Sequence, residues 1–379
     1  MNGAQSLIAS LVKSDVEVCF SNPGTSEMHF VAALDSVPEM RGVLCLFEGV
    51  ASGAADGYAR MMGKPASTLF HLGPGMGNAI ANLHNAQKGF TPLVNIVGEH
   101  ATHHRQYEAP LTSNIEGYAE PFSKWLRVSE SAKDVGADTA EAIAASQVDV
   151  PGIATLLLPA NTAWDDGGVV ADKVPFLGPK TVDSEVIKEA ARRLEKAKKA
   201  VMLVNGTAIR ERGLEAVARI REKTGATVYL STFYPRSERG AGRVEIPKLP
   251  YFPDQIYAAL DGCDELILVG QDRPVTFFAY PGKKSDCTPE GVEPFKLSTP
   301  ADDQVGALEA LADEVGAPAI KDLSNDPRNM LICPELQKGE LTPRSAGHAV
   351  AAMLPENAII ADESTTSGAA SYLMTANSP

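Results

Sequence analysis

Leu46-Phe47-Glu48-Gly49-Val50-Ala51-Ser52-Gly53-Ala54-Ala55-Asp56-Gly57-Tyr58-Ala59-Arg60-Met61-Met62-Gly63-Lys64-Pro65 joins an apolar run to a segment rich in small residues. The run over 42–47 reads as a buried strand, and the segment after it reads as a helix. Glu48 therefore stands at the carboxyl end of a strand and opens a helix. In open α/β sheets, ligands bind in the crevice outside those carboxyl ends. The small residues from Gly49 to Ala55 let this helix approach other backbone closely. A Glu at a helix start also has a plain reading, in which it favours the helix dipole and meets water. Taken alone, the residue leaves both readings open.

Working outward, Ala4, Leu7, Ile8, Leu11 and Val12 follow the spacing of an amphipathic helix. A short strand over 16–21 runs into a turn at Asn22-Pro23-Gly24-Thr25. A helix over 28–34 comes next, then the strand before Glu48. Beyond the opening stretch come a strand over 67–70 and a glycine loop, His71-Leu72-Gly73-Pro74-Gly75-Met76-Gly77. A helix over 78–88 and apolar strands over 93–97 and 152–158 complete the pattern. Short apolar runs alternating with helices predict a parallel sheet covered on both faces, an α/β domain over residues 1–165. Residues 165–184 lose periodicity and collect Gly, Pro and Asp, as a linker does. A second α/β domain is expected over 184–320, with helices over 185–196, 213–224 and 305–315 and strands over 200–204, 227–231 and 265–269. An irregular stretch over 320–340 leads to a tail, 341–379. There a helix over 342–353, a strand over 358–361 and a helix over 366–374 are too little to stand as a domain.

Composition narrows the function. Among 379 residues, 44% are apolar and 22% charged, which suits a globular protein with sizeable cores. A net charge of −14 argues against nucleic acid as a partner, since phosphate backbones need a basic footprint. No apolar run approaches the length of a membrane span, and the N-terminus lacks the pattern of a secretory signal. The five cysteines are scattered, with no CxxC pair, and Cys19 and Cys45 lie in apolar runs. A reducing, cytoplasmic compartment is the expectation. His100, His103 and His104, with Glu99 and Glu108, have no fixed fourth ligand spacing and read as a loop cluster rather than a metal site.

The block from Glu48 through Ala55-Asp56-Gly57-Tyr58-Ala59-Arg60 to Gly63-Lys64-Pro65 resembles the signature of the pyrimidine-binding domain of thiamine-diphosphate enzymes. Acetolactate synthase large subunits and benzoylformate decarboxylase are the members it looks most like. Asn22-Pro23-Gly24-Thr25, the stretch His71–Asn78, and Pro92-Leu93-Val94 running to Gly98 agree in order. So do the central unit and Pro355-Glu356-Asn357-Ala358-Ile359-Ile360 followed by Asp362-Glu363-Ser364-Thr365. The resemblance implies a pyrimidine-binding domain, a central α/β domain and the start of a diphosphate-binding domain. It implies thiamine diphosphate held by Pro23, Gly24, Glu48, Pro74, Asn78 and Thr365. Glu48 would engage N1′ of the aminopyrimidine and so promote formation of the thiazolium ylid that attacks a 2-oxoacid carbonyl. His71 matches a proton-transferring histidine of the decarboxylase, and Thr25 a substrate-facing hydroxyl.

The chain departs from the family pattern at several positions. The stretch 275–284 holds no counterpart of the decarboxylase's second histidine, and Glu99-His100 stands where acetolactate synthases carry Gln after the Gly. FAD-binding residues cannot be traced, so FAD is left open. The family's Gly-Asp-Gly motif and downstream Asn pair, which hold Mg²⁺ on the diphosphate, do not occur in these residues. The expectation is thus a 2-oxoacid lyase or acetolactate synthase-like transferase, truncated before its Mg²⁺ ligands and inactive on its own. A homodimer or homotetramer with shared sites is implied. The rival reading is a non-catalytic interaction subunit that pairs with a complete homologue.

Overall fold

Six short runs among the first 179 residues become strands of one parallel sheet because most are apolar on both sides. The computed structural model describes residues 1–320 and 330–379. Its contacts divide them into two compact units, Met1–Pro179 and Lys180–Pro379. In the first unit the elements are α1 (Gly3–Lys13), β1 (Val18–Asn22), α2 (Met28–Leu34), β2 (Arg41–Leu44), α3 (Glu48–Met62) and β3 (Ala66–Phe70). After them come α4 (Leu72–Lys88), β4 (Leu93–Glu99), α5 (Ile115–Ala119), β5 (Ser123–Val128), α6 (Val135–Gln147), β6 (Ile153–Pro159) and α7 (Ala160–Trp164). The strand order is β2-β1-β3-β4-β6-β5, with every pair parallel.

Strands β3, β4 and β6 are buried along their whole length. One sheet face packs Leu7, Leu11, Phe30 and Ile143 from α1, α2 and α6. The other packs Ala51, Ala55, Met76 and Leu83 from α3 and α4. Coverage on both faces explains why these strands read as continuous apolar runs. The order reverses between β1 and β3: from β1 the chain goes to β2 on one side, then crosses to β3 on the other.

The glycine stretch after β3 is not a loop. Helix α4 begins at Leu72, so Gly73, Gly75 and Gly77 lie in its first turns. Leu72 takes the strained φ of +50° where strand becomes helix. Gly73 is required by contact, since a Cβ there would stand 2.3 Å from the Ser113 side chain.

The second unit contains α8 (Ser184–Lys196), β7 (Ala200–Val204), α9 (Glu211–Thr224), β8 (Thr227–Leu230), α10 (Pro253–Leu260), β9 (Glu265–Val269), β10 (Phe295–Ser298) and α11 (Gln304–Glu314). Helices α12 (Pro343–Met353) and α13 (Gly368–Met374) come last. The four strands are parallel in the order β10-β9-β7-β8. The strand expected over 358–361 does not form. Ile359 and Ile360 are 70% and 51% exposed, and no neighbouring strand offers them a ladder. The tail helices pack on each other through Gly347, where a Cβ would lie 3.0 Å from the backbone of Ala370. Within this unit, Arg239 Nη2 donates to the Tyr372 carbonyl at 2.7 Å and Ala241 N–H to that of Ser378 at 2.9 Å. The irregular stretch expected over 320–340 falls partly on 321–329, outside the described residues; 330–340 carries neither helix nor strand.

Among the described residues no helix is long and apolar enough to cross a membrane. Cys19, Cys45, Cys263 and Cys287 are buried free thiols. Burial pushes the Cys19 thiol up to about 12.

Candidate functional site

The reversal of strand order between β1 and β3 marks the place where doubly wound sheets take ligands. Beyond β1, Pro23 and Gly24 turn the chain into a short 3₁₀ segment, Thr25–Glu27, that leads to α2. Beyond β3, His71 is the residue preceding α4. Glu27, 3% exposed, joins the two. Its Oε2 lies 2.7 Å from His71 Nδ1 and accepts the Gly24 N–H at 2.7 Å, while its Oε1 accepts from Ser26 Oγ at 2.8 Å. A buried carboxylate needs such donors, and three of them hold it here. Binding Nδ1 fixes the imidazole, and among the described residues Nε2 has no protein partner. Nε2 is the ring nitrogen left open to a ligand.

Two glycines make the room for this pair. A Cβ on Gly24 would stand 2.2 Å from the His71 ring, and one on Gly98 would stand 1.8 Å from Glu27 Oε1. Gly98 lies near the end of β4, so the next strand of the sheet also closes around Glu27.

Glu48 is the first residue of α3 and is 6% exposed. Its Oε2 accepts from Asn78 Nδ2 at 2.9 Å. Its Oε1 has no hydrogen-bond partner among the described residues and faces Gly75, where a Cβ would lie 2.9 Å away. Asn82 Nδ2 donates to the Gly49 carbonyl at 2.6 Å and Ser52 Oγ to that of Ala79 at 3.2 Å, locking α3 against α4. The Asp56-to-Arg60 part of the opening stretch is scaffolding. Arg60 Nε and Nη2 each reach the Asp56 carboxylate at 2.7 Å, and Thr91 Oγ1 donates to it at 2.7 Å.

The other sequence candidates are less buried. Thr25 is exposed, whereas Ser26 Oγ lies 3.4 Å from His71 Nδ1. Pro23 is half-buried in the turn after β1, and Pro74 is exposed in the first turn of α4. Thr365 is exposed in a bend ahead of α13 and belongs to the second unit. Sequence reading missed Glu27 and Ser26. Their signal was the spacing of Gly24 and Glu27, in which a carboxylate three residues on reaches back to a turn's N–H.

Glu99, at the end of β4, is 1% exposed. Its Oε1 accepts the His100 N–H at 2.7 Å, but its Oε2 has no hydrogen bond, and the nearest cation, Arg105 Nη2, is 3.8 Å away. Burial pushes this carboxyl above the usual carboxylate range. A raised native pKa means the ionised form costs stability above that pKa, a cost that vanishes below the unfolded value. Glu99→Gln should therefore raise the melting temperature at neutral pH by roughly 2–4 °C, about 1 kcal/mol. The gain should shrink as pH falls through the carboxylate range. A melting curve that is unchanged at neutral pH would contradict this. Among the described residues no group of three or more His, Cys, Asp or Glu is disposed as metal ligands.

Residues 1–120 match the family model described as thiamine pyrophosphate enzyme, N-terminal TPP binding domain. A Mycobacterium tuberculosis H37Rv protein named as a candidate acetolactate synthase large subunit, IlvX, is 50% identical over 380 residues, covering 100% of this chain and 72% of its own length. The chain belongs to the thiamine pyrophosphate enzyme family. A benzoylformate decarboxylase of Pseudomonas aeruginosa is 26% identical across 92% of this chain and 68% of its own. The fold is shared with a Rhodococcus jostii thiamine diphosphate-dependent 4-hydroxybenzoylformate decarboxylase at a TM-score of 0.80 and 22% identity, covering 100% of this chain and 73% of that one. Within the family's fold, Glu48 and His71 flank the first turn of α4, one in α3 and one at the residue that precedes α4.

Proposed function

We propose that this chain carries the pyrimidine side of a thiamine-diphosphate site acting on a 2-oxoacid, by decarboxylase-type cleavage or acetolactate synthase-like transfer. The observation that carries the reading is the buried Glu48 carboxylate. Asn78 anchors one oxygen, and Gly75 leaves the other unpaired and open to a ring N–H donor. The residues present fit the aminopyrimidine. When bound, thiamine diphosphate supplies the electron sink for cleaving the bond next to the carbonyl. The chain's own part is to hold a carboxylate at the ring nitrogen and to move a proton at His71 Nε2, with Glu27 fixing the imidazole. Ser26 is the hydroxyl beside it. The name of the benzoylformate decarboxylase relative supports a 2-oxoacid substrate. Exposed Leu46, Phe47 and Val50 at the start of α3 support an oligomer of this chain with shared sites, and four buried free thiols support a cytoplasmic setting.

Mg²⁺ does not fit these residues, which hold no Gly-Asp-Gly motif. The diphosphate is the cofactor's main charged handle, and without a metal site the ring alone buries little surface. Calorimetry on these 379 residues with Mg²⁺ and thiamine diphosphate should show no binding tighter than roughly millimolar, about 4 kcal/mol. Micromolar, Mg²⁺-dependent binding would mean that another segment supplies the metal ligands. The functional reading itself is tested by joining the chain to a family diphosphate-binding domain and assaying CO₂ release from pyruvate and from benzoylformate. A protein that binds the cofactor tightly yet consumes no 2-oxoacid would overturn it.

A further inference from the structure

The second unit has a reversal point of its own. Its strand order turns between β7 and β9, which end at Val204 and Val269. Gly206 (φ +65°) and Gly270 (φ +68°) lie just beyond those ends. In an open parallel sheet this is the crevice that receives a nucleotide. Bare glycine backbone lets phosphate approach free N–H groups and a helix N-terminus. The likeness to acetolactate synthases left FAD open, and this crevice has the topology of a dinucleotide site.

Here the crevice is full. Gln304, the first residue of α11, is 2% exposed. Its side-chain Oε1 would stand 2.6 Å from a Cβ on Gly206 and 2.7 Å from one on Gly270, so it occupies the space that both glycines leave. Its Oε1 accepts the Ala208 N–H and the Thr207 hydroxyl, each at 3.1 Å, and its Nε2 donates to the Thr299 carbonyl at 3.2 Å. The Gly206 N–H is already taken by Asn205 Oδ1 at 2.7 Å. The first turn of α11 has an anion of its own, since the Asp303 carboxylate accepts the Gly306 N–H at 2.9 Å. Asp302 beside it accepts from both Thr299 N–H and Thr299 Oγ1 at 2.7 Å. An entering phosphate would have to displace a buried, hydrogen-bonded amide from the space beside both glycines.

We infer that Gln304 is a built-in occupant of this crevice and closes the second unit to nucleotides and dinucleotides such as FAD. Its Oε1 accepts from the Ala208 N–H and Thr207 hydroxyl, as a phosphate oxygen would, so closing the crevice leaves neither donor unsatisfied. Gln304 thus determines cofactor specificity. Gly206 and Gly270 give the room, and a flexible amide from α11 fills it.

The test is equilibrium dialysis of the purified chain against FAD and against ADP. Wild type should bind neither more tightly than roughly millimolar. Gln304→Ala should open the crevice and bind ADP at least about tenfold more tightly than wild type. Gln304→Met, of similar volume, should stay closed, and Gln304→Ser replaces the alanine variant if circular dichroism shows that variant unfolded. Micromolar binding of either probe by wild type would overturn the inference. So would a folded Gln304→Ala or Gln304→Ser protein with wild-type affinity, because something other than Gln304 would then close the site. Neither probe contains thiamine and Glu48 lies in the other unit, so the result is independent of the thiamine reading.

Discussion

Glu48→Gln is expected to keep the fold and to slow C2–H/D exchange of thiamine diphosphate by on the order of 10² or more, in the chain joined to a diphosphate-binding domain and loaded with cofactor. The size of the effect comes from the two oxygens having different neighbours. Asn78 Nδ2 donates to Oε2, so a glutamine would turn its carbonyl toward Asn78 and place its amide nitrogen where Oε1 now stands. That position faces the open Gly75 side of the helix pair. A ring nitrogen that needs an acceptor would meet a donor instead. The structural cost is small by comparison. Loss of a charge at a helix N-terminus removes about 0.3–1 kcal/mol, and the variant keeps the volume and one hydrogen bond. A large fall in exchange with a nearly unchanged melting temperature separates the catalytic role from the plain helix-dipole role. Exchange at the wild-type rate in a folded, loaded variant would sink the assignment.

How much could be read before the structure depended on where each signal lives. Strands β3, β4 and β6 are buried on both faces, so their sequences are uninterrupted apolar runs and their positions were legible. Strand β5 was not, because it is a half-buried edge strand carrying Lys124 and Arg127. Helix α6 hid in an alanine-rich stretch without a marked polar face. Strand β2 ends at Leu44 rather than 47 because it too is an edge, and the chain turns away with Leu46 fully in solvent. The glycine stretch after β3 looked like a loop by composition, since helix propensity penalises Gly. Tertiary contact overrides that penalty here, because Gly73 and Gly75 must let Ser113 and Glu48 in. The placement of Glu48 and His71 was legible, since both sit at boundaries between apolar runs and helices. Glu27 was not. Its spacing from Gly24 marks a turn cap but not a buried carboxylate, and its burial depends on Gly98, which lies three strands later in the sequence. Thr25, the hydroxyl to which the resemblance pointed, is exposed, and its neighbour Ser26 has its Oγ 3.4 Å from His71 Nδ1.

That dependence makes Gly98→Ala a severe single-atom change for this site. The new Cβ would lie 1.8 Å from Glu27 Oε1, far inside van der Waals contact, on a strand whose backbone is held on both sides by β3 and β6. The strand cannot yield, so Glu27 must. Its carboxylate would then lose its hold on Gly24 N–H, Ser26 Oγ and His71 Nδ1, and a charge would be left buried and unpaired. Overpacking and the broken pair together should cost about 3 kcal/mol or more. Glu27→Ala alone should cost a similar amount by removing the donors' partner. The two changes should not add. With Glu27 already truncated, the atom that Gly98→Ala strikes is gone, and the second substitution should cost under about 1 kcal/mol, a coupling of roughly 2 kcal/mol. Denaturant unfolding of wild type, both single variants and the double variant measures this directly. Costs that add within about 0.5 kcal/mol would show that Gly98 does not make the space for Glu27, and the route by which β4 positions His71 would have to be abandoned.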